Sequence, residues 1–305
     1  SIEKLLSSEK IDFKKLEEVD GIVIKEIAGQ IGIEVFVVRS GLSFGARLFF
    51  PSKTEGLSLG EVMEFFIMRY YSDAEVPKLI AINTEISKDV AKALKSKIFA
   101  PKSGIYKDFL NFISPNIEEK LEQKVGKKAK IMQNLENLQS LLTLSKPLER
   151  IEIYDNSHTA GSFMLGAMVV FGKDGFLSSE YRKFNAKFED TKAGDDYGML
   201  KETLKRRFLN EKMLLKLPDL IIIDGGKGQH STAIKVFKEL QIEIPFICMA
   251  KGKDRNAGKE WFYYEDKEFQ LEFTSPLLYF LQNLRDEAHR FAITSHRNRR
   301  LKNLK

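Results

Sequence analysis

The chain has 305 residues, with 49 Lys and Arg against 43 Asp and Glu for a formal charge of +6; 43% of it is hydrophobic and 30% charged, as in an ordinary folded protein. No apolar run approaches the roughly 18 residues of a bilayer span, and the opening residues lack the basic-then-apolar pattern of a secretory leader. The lone cysteine, Cys248, excludes an internal disulfide or a cysteine-built zinc or iron–sulfur cage. A cytoplasmic protein of about two domains is expected, and Ser1 in place of Met leads to the expectation of a processed or excised chain.

From Gly21 onward, GIVIKEIAG, IGIEVFVVRSG and LSFGARLFFP are rich in β-branched and aromatic residues and punctuated by Gly and Pro. They predict a meander of three strands. LSLGEVMEFFIMRYY then takes helical periodicity, VPKLIAIN reads as a buried strand, and KDVAKALKSKIFA returns to helix. A charged helical stretch follows Pro115 and stops before Pro147. The domain boundary is placed there, giving 1–147 and 148–305.

The second half repeats the order. ERIEIYDNSH, SFMLGAMVVFG and FLSSEYRKFNA read as strands, with a hairpin turn at Lys173-Asp174-Gly175 between the last two. GDDYGMLKETLKRRF is a helix begun by an Asp cap, and LPDLIIIDGG is a continuous apolar run of the kind buried parallel strands show. The helix GQHSTAIKVFKEL and the strand IPFICMA follow, and Ser275-Pro276 starts a last helix. Three antiparallel strands followed by alternating helix and strand predict an α/β ribonuclease H-like mixed sheet flanked by helices.

PKLIAIN, from Pro77 to Asn83, lies over PDLIIID, from Pro218 to Asp224, without a gap. A fold present twice is therefore expected, against the alternative of chance likeness between apolar strands. Asn83 stands where the second copy has Asp224, and a neutral amide is a weaker ligand for a hard cation. The first copy is expected to be catalytically inactive.

Asp155 follows IEIY and Asp224 follows LIII, so each carboxylate ends a strand expected near the sheet centre. Two acids converging in a partly buried cleft repel and resist desolvation, so they persist together if a cation binds or one is protonated. Oxygen ligands imply Mg²⁺ or Mn²⁺. Two such ions about 3.5 to 4 Å apart would activate a water and stabilise the leaving oxygen of an in-line phosphodiester displacement. The plainer alternative is that each Asp caps a turn. His289 lies on the last helix beside Leu277, Leu281, Leu284, Ala288 and Phe291; pattern alone leaves it a surface residue. For Asp195 and Asp196, helix capping competes with a role in metal or DNA work. His158 and His296 read as loop and tail residues.

GGKGQ after Asp224 resembles half of a phosphate loop. Lys227 is followed by Gly228, with no hydroxyl placed for Mg²⁺, so a phosphate-loop nucleotide binder is the weaker alternative. Basic residues cluster at Lys201, Lys205, Arg206 and Arg207, on a helix whose Tyr197, Leu200, Leu204 and Phe208 form an apolar face, and again from Arg285 to the end. Clustered cations on helices suit phosphate backbones, although taken alone a solvated helix face is the plainer reading.

YDNSHTAG, GDDYGMLKETLKRRF, PDLIIIDGGKGQ, AKGKDR and RDEAHRFAITSHR, in that order, resemble the C-terminal half of the UvrC family, nuclease subunits of the bacterial UvrABC excinuclease. The preceding half is similar to the family's central region. The resemblance implies a ribonuclease H-like domain that makes the incision 5′ to a DNA lesion in nucleotide excision repair. It places an Asp-Asp-His metal site on Asp155, Asp224 and His289 and a further important acid on Asp196. It also implies damaged double-stranded DNA as substrate, and UvrB, with UvrA upstream, as partner.

The basic groups then expected on DNA are Lys201, Lys205, Arg206, Arg207, Lys227, Lys251, Arg285, Arg290, Arg297, Arg299 and Arg300. No GIY-YIG domain, UvrB-binding hairpin or helix-hairpin-helix pair is recognisable, so a fragment is expected, with UvrB bound through regions missing here. Tyr154 and Asn156 replace residues more usual in the family beside Asp155, leaving the choice between Mg²⁺ and Mn²⁺ open. The remaining alternative is a catalytically idle DNA-binding scaffold.

Overall fold

Two tight hairpins open the fold. Strands β1 (Val19–Ile27), β2 (Gln30–Arg39) and β3 (Leu42–Phe49) pair antiparallel, joined by Ala28-Gly29 and Ser40-Gly41. All four turn residues have positive φ, the backbone that two-residue hairpins with matching twist require. The chain is seen as a computed structural model whose described residues are 11–16, 18–156, 165–185, 195–252 and 260–303. It divides into two compact units, Ser1–Lys127 and Lys128–Lys305.

In the first unit, helix α1 (Leu59–Tyr70) starts in a reciprocal cap between Ser58 and Glu61. Strand β4 (Leu79–Ile82) follows and pairs parallel with β1. Helix α2 (Lys88–Leu94) is shorter than expected. Lys95 turns left-handed at φ 52°, and the remaining residues form strand β5 (Lys97–Phe99), parallel to β4. The sheet order is β3-β2-β1-β4-β5.

Helix α3 (Ile105–Leu141) corrects a second expectation, because it begins before Pro115 and runs through it. A proline inside a helix costs about 3 kcal/mol. Here the turns around it bury Phe109, Leu110, Ile113, Ile117 and Leu121 against the sheet, each side chain contributing about 1.5–3 kcal/mol. The close approach depends on Gly21, where a Cβ would sit 2.6 Å from both Ile113 and Phe109.

In the second unit, strand β6 (Arg150–Asp155) pairs antiparallel with β7 (Leu165–Gly172). The Lys173-Asp174 turn leads to β8 (Gly175–Phe176) as expected. The single strand predicted from Phe176 is broken by a turn at Ser178–Glu180, after which β9 (Arg182–Asn185) rejoins β7. The break lets Glu180 receive Arg150 and Lys216.

Helices α4 (Asp196–Phe208) and α5 (Glu211–Leu214) precede β10 (Leu220–Asp224), which lies parallel between β6 and β11 (Phe246–Ala250); α6 (Lys227–Leu240) joins β10 to β11. An unforeseen hairpin, β12 (Trp261–Tyr264) and β13 (Lys267–Phe269), extends the sheet. Helix α7 (Pro276–Asn303) closes the unit, with sheet order β13-β12-β11-β10-β6-β7-β8.

Alternation along the strands divides the core. Ile151, Ile153, Leu220 and Ile222 pack with Leu277, Leu281, Leu284 and Ala288 of α7. Tyr154, Ile221 and Ile223 pack with α4 and α6. Both sheets carry the ribonuclease H-like order, flanked by helices. Among the described residues no helix is long and apolar enough to cross a membrane.

Candidate active site

Side chains two apart on a strand share a face. Asp155, two residues beyond Ile153, and Asp224, two beyond Ile222, therefore both face α7. The parallel register aligns Asp155 with Asp224 at the last paired step of β6 and β10. On α7, the apolar positions Leu281, Leu284 and Ala288 fix which side meets the sheet, and His289 lies at the edge of that side. Its Nδ1 is 2.8 Å from Oδ2 of Asp155.

One ligand atom from each of Asp155, Asp224 and His289 lies within 4.8 Å of the others. The Asp155 side chain is 2% exposed, whereas that of His289 is 44% exposed. The cluster is thus sealed at its floor and open at its rim.

The electrostatics fit a cation. Burial and then the charge of Asp155 push the Asp224 carboxyl up to about 6; Arg285, Lys251 and His289 oppose the shift. A buried acid pair is relieved either by a proton or by a divalent ion. Two carboxylate oxygens and an imidazole nitrogen with an open side suit Mg²⁺ or Mn²⁺. Where Asp155 is ionised it can only accept, so the proton of its hydrogen bond with His289 sits on Nδ1.

Asp195 is the N-cap of α4, accepting from the Gly198 N–H at 2.8 Å. Asp196 opens the helix and lies outside the cluster of ligand atoms. Lys227 starts α6 and is exposed. The Gln229 side chain folds back to accept from the Gly226 N–H at 3.0 Å, and a Cβ on Gly225 would meet it at 2.5 Å. These glycines serve a helix cap, which weakens the nucleotide-binder alternative.

The basic cluster is not of one kind. Lys201, Arg206, Lys251 and Arg290 are exposed, while Lys205 pairs with Glu239. Arg290 pairs with Glu287 at 2.6 Å. Arg207 departs from the expectation of a DNA contact. It is 1% exposed and turned inward, donating to Glu152 from Nη2 at 2.8 Å and from Nε at 3.0 Å. Further donations go to the carbonyls of Met213 and Lys216. Glu152 is itself fully buried on β6 and needs a cation.

Arg285 departs likewise. Buried one turn before His289, it pairs with Glu260 at 3.3 Å and Asp286 at 2.9 Å. Its charge acts on Asp224 rather than outward. The buried Glu260 had no sequence signal, since it precedes β12 in a stretch without periodicity. His158 lies outside the described residues, as do the side chains of Arg297, Arg299, Arg300 and His296.

Residues 139–293 match the family model described as the UvrC RNAse H endonuclease domain, and residues 18–124 match the UvrC Ribonuclease H-like domain. The chain is 40% identical over 311 residues to the UvrABC system protein C of Sphingopyxis alaskensis, covering 97% of this chain and 48% of that one. It is 38% identical over 320 residues to the protein of the same description in Paramagnetospirillum magneticum, covering 100% and 51%. The chain spans about half the length of the curated relatives it matches. Among solved structures, the catalytic domain of human Endonuclease V aligns at 19% identity and a TM-score of 0.29, over 44% of this chain and 59% of that one.

Proposed function

The chain belongs to the UvrC family, and from that premise we propose that its second unit is a divalent-metal-dependent DNA endonuclease making the 5′ incision of bacterial nucleotide excision repair. The observation that supports this most is the alignment of Asp155 with Asp224 beneath the imidazole of His289.

Asp155 and Asp224 hold the cation, with His289 at its rim. The bound Mg²⁺ or Mn²⁺ supplies Lewis-acid stabilisation to the charge developing on the phosphoryl and leaving oxygens. Asp155 fixes the ring of His289 so that Nε2 faces the opening. There it accepts a proton from the attacking water, a step worth about 10²–10⁴-fold. The water oxygen bonds to phosphorus, the P–O3′ bond breaks, the leaving O3′ takes a proton from solvent, and His289 returns its own to solvent; the products are a 3′-hydroxyl and a 5′-phosphate.

Asp196, at the start of α4, is a further acid at this end of the unit. The exposed Lys201, Arg206, Lys227, Lys251 and Arg290 hold the phosphate backbone and carry little sequence information. Lesion choice then falls to the partners, UvrB with UvrA upstream, acting on damaged duplex DNA.

A nicking assay on supercoiled plasmid with Mn²⁺ or Mg²⁺ tests the reading. Asp224→Asn and His289→Ala are expected to lose nicking that the wild-type chain retains. Equal residual nicking in all three overturns the site, and absence of nicking in the wild type favours the idle scaffold.

A further inference from the structure

The first unit carries a cleft of about 480 Å³ between β3, the segment after it and α1. Arg47 and Phe49 project toward α1 from alternate positions of the edge strand β3. Phe66, Arg69 and Tyr70 line the other wall from one side of the helix. The rings cluster without being coplanar, Phe49 standing at 58° to Phe66 and 79° to Tyr70. Phe66 and Tyr70 stack at 5.6 Å with planes 23° apart, and Phe49 meets them at 5.0 and 5.7 Å. Phe50 continues the apolar wall with the Lys124 ammonium 4.3 Å from its ring centroid.

The charged groups lining this cleft are Arg47, Arg69 and Asp73, a net positive set. Arg47 is exposed at its edge, and Arg69 is 78% exposed, touching only the equally open Asp73 at 3.3 Å and Ser72. Such a pair in water adds little, so its guanidinium is available to a stronger anion. Half-buried aromatic faces beside solvent-exposed arginines are the two parts of a single-strand site: stacking for bases, which is indifferent to sequence, and cations for the backbone. An apolar peptide would use the rings and leave the arginines without a function.

We propose that this cleft binds single-stranded nucleic acid, one base against Phe49, Phe66 and Tyr70 with its flanking phosphates on Arg47 and Arg69. The choice of DNA over RNA rests on the endonuclease role proposed above; the cleft itself does not.

The test is anisotropy of labelled oligothymidylate and oligouridylate with the full chain across a salt series. Arg47→Ala with Arg69→Ala, both exposed and harmless to folding, is expected to weaken binding about tenfold and to flatten the salt dependence by about 0.7 per phosphate lost. Tyr70→Phe keeps the affinity because the stacking face survives. Photo-crosslinking through a halogenated base is expected at Phe49, Phe66 or Tyr70.

Unchanged affinity in the double variant, or crosslinks confined to the second unit, overturns the proposal. So does a double variant that binds oligonucleotide normally but loses a protein partner. Nicking of supercoiled plasmid by the wild-type chain is read alongside: its failure overturns the endonuclease reading alone, whereas unchanged affinity in the double variant overturns this site alone.

Discussion

The two units use one sheet order for opposite ends, and the difference lies at two adjacent strand positions. In the second unit the register sets Asp155 beside Asp224. In the first, Ile22 pairs with Ile82, so Val23 and Asn83 stand where the two acids would be. Val23 is fully buried among Phe109, Ile113 and Ile117. Asn83 clamps the backbone of Ile24, accepting from its N–H and donating to its carbonyl, both at 2.8 Å.

The cross-strand neighbours are exchanged too. Val23 faces Glu34, whereas Asp155 faces Ala167. Glu34 is alone with Asn116, at 2.7 Å, and burial raises its pKa. One buried acid can stay protonated at modest expense; two acids under an imidazole are a site that gains by binding a cation. The fold carries the chemistry without requiring it.

The largest expected effect comes from removing one acid of the pair. Asp224→Asn is expected to lower nicking by on the order of 10²–10³-fold, and also to stabilise the metal-free chain at neutral pH. The folded-state pKa of about 6 lies above the ordinary 3.8, so the native state holds this proton more tightly than the unfolded chain. Stability is therefore full below pH 3.8 and falls as pH rises through about 6, by about 3 kcal/mol at 1.36 kcal/mol per pKa unit. Urea unfolding with a chelator should find the variant more stable at pH 8 and equal to wild type at pH 3.5. Saturating Mn²⁺ should stabilise only the wild type, by about 2.7 kcal/mol at a hundredfold excess over Kd.

Carrying the acid the other way sharpens the contrast. Val23→Asp places a carboxylate among apolar side chains and directly opposite the buried Glu34, with no imidazole or cation beside it among the described residues. Unfolding measurements are expected to show a loss of about 3 kcal/mol or more. A tolerated Val23→Asp would mean that the first unit can still open that end of its sheet to water.

Arg207 tests how the basic cluster divides. Replacement by Ala removes one of the two guanidiniums on Glu152, leaving Arg150 at 2.9 Å, and takes the donors from the Met213 and Lys216 carbonyls; it should destabilise the second unit by about 1–3 kcal/mol, with the salt dependence of DNA binding unchanged per folded molecule. Lys201→Ala, on the exposed face of α4, should do the reverse: stability constant and the salt slope shallower by about 0.9. Equal effects of the two substitutions would restore the single-patch reading.

The sequence carried the strands because apolar, β-branched runs bounded by Gly and Pro mark them, and it carried Asp155 and Asp224 because each ends such a run. The register between those strands was not legible; pairing is a property of two segments and the turns that align them. Arg207 and Arg285 misled because a basic residue looks the same whether its partner is a phosphate or a buried glutamate 55 residues away. Pro115 misled for the opposite reason, a strong local signal overruled by burial on both sides of it. The hairpin of β12 and β13 escaped because its turn, Glu265-Asp266, lacks the glycine that usually marks one.

The smallest effect isolates what a solitary buried acid does. Glu34 is 1% exposed, with burial raising its pKa and the Asn116 hydrogen bond partly offsetting the rise. The native state therefore keeps a proton that the unfolded chain releases near 4.5, and stability declines as pH climbs from there to the raised folded-state value. Glu34→Gln keeps an oxygen for the Asn116 donor and has no proton to lose. Unfolding curves of wild type and variant should coincide near pH 4 and then separate, with the variant ahead at pH 8. Because Glu34 has no acidic neighbour across the strand, added Mg²⁺ or Mn²⁺ should leave that gap unchanged. A gap that closed with metal would reveal a cation bound in the first unit, and with it a second site where Val23 and Asn83 argue for none.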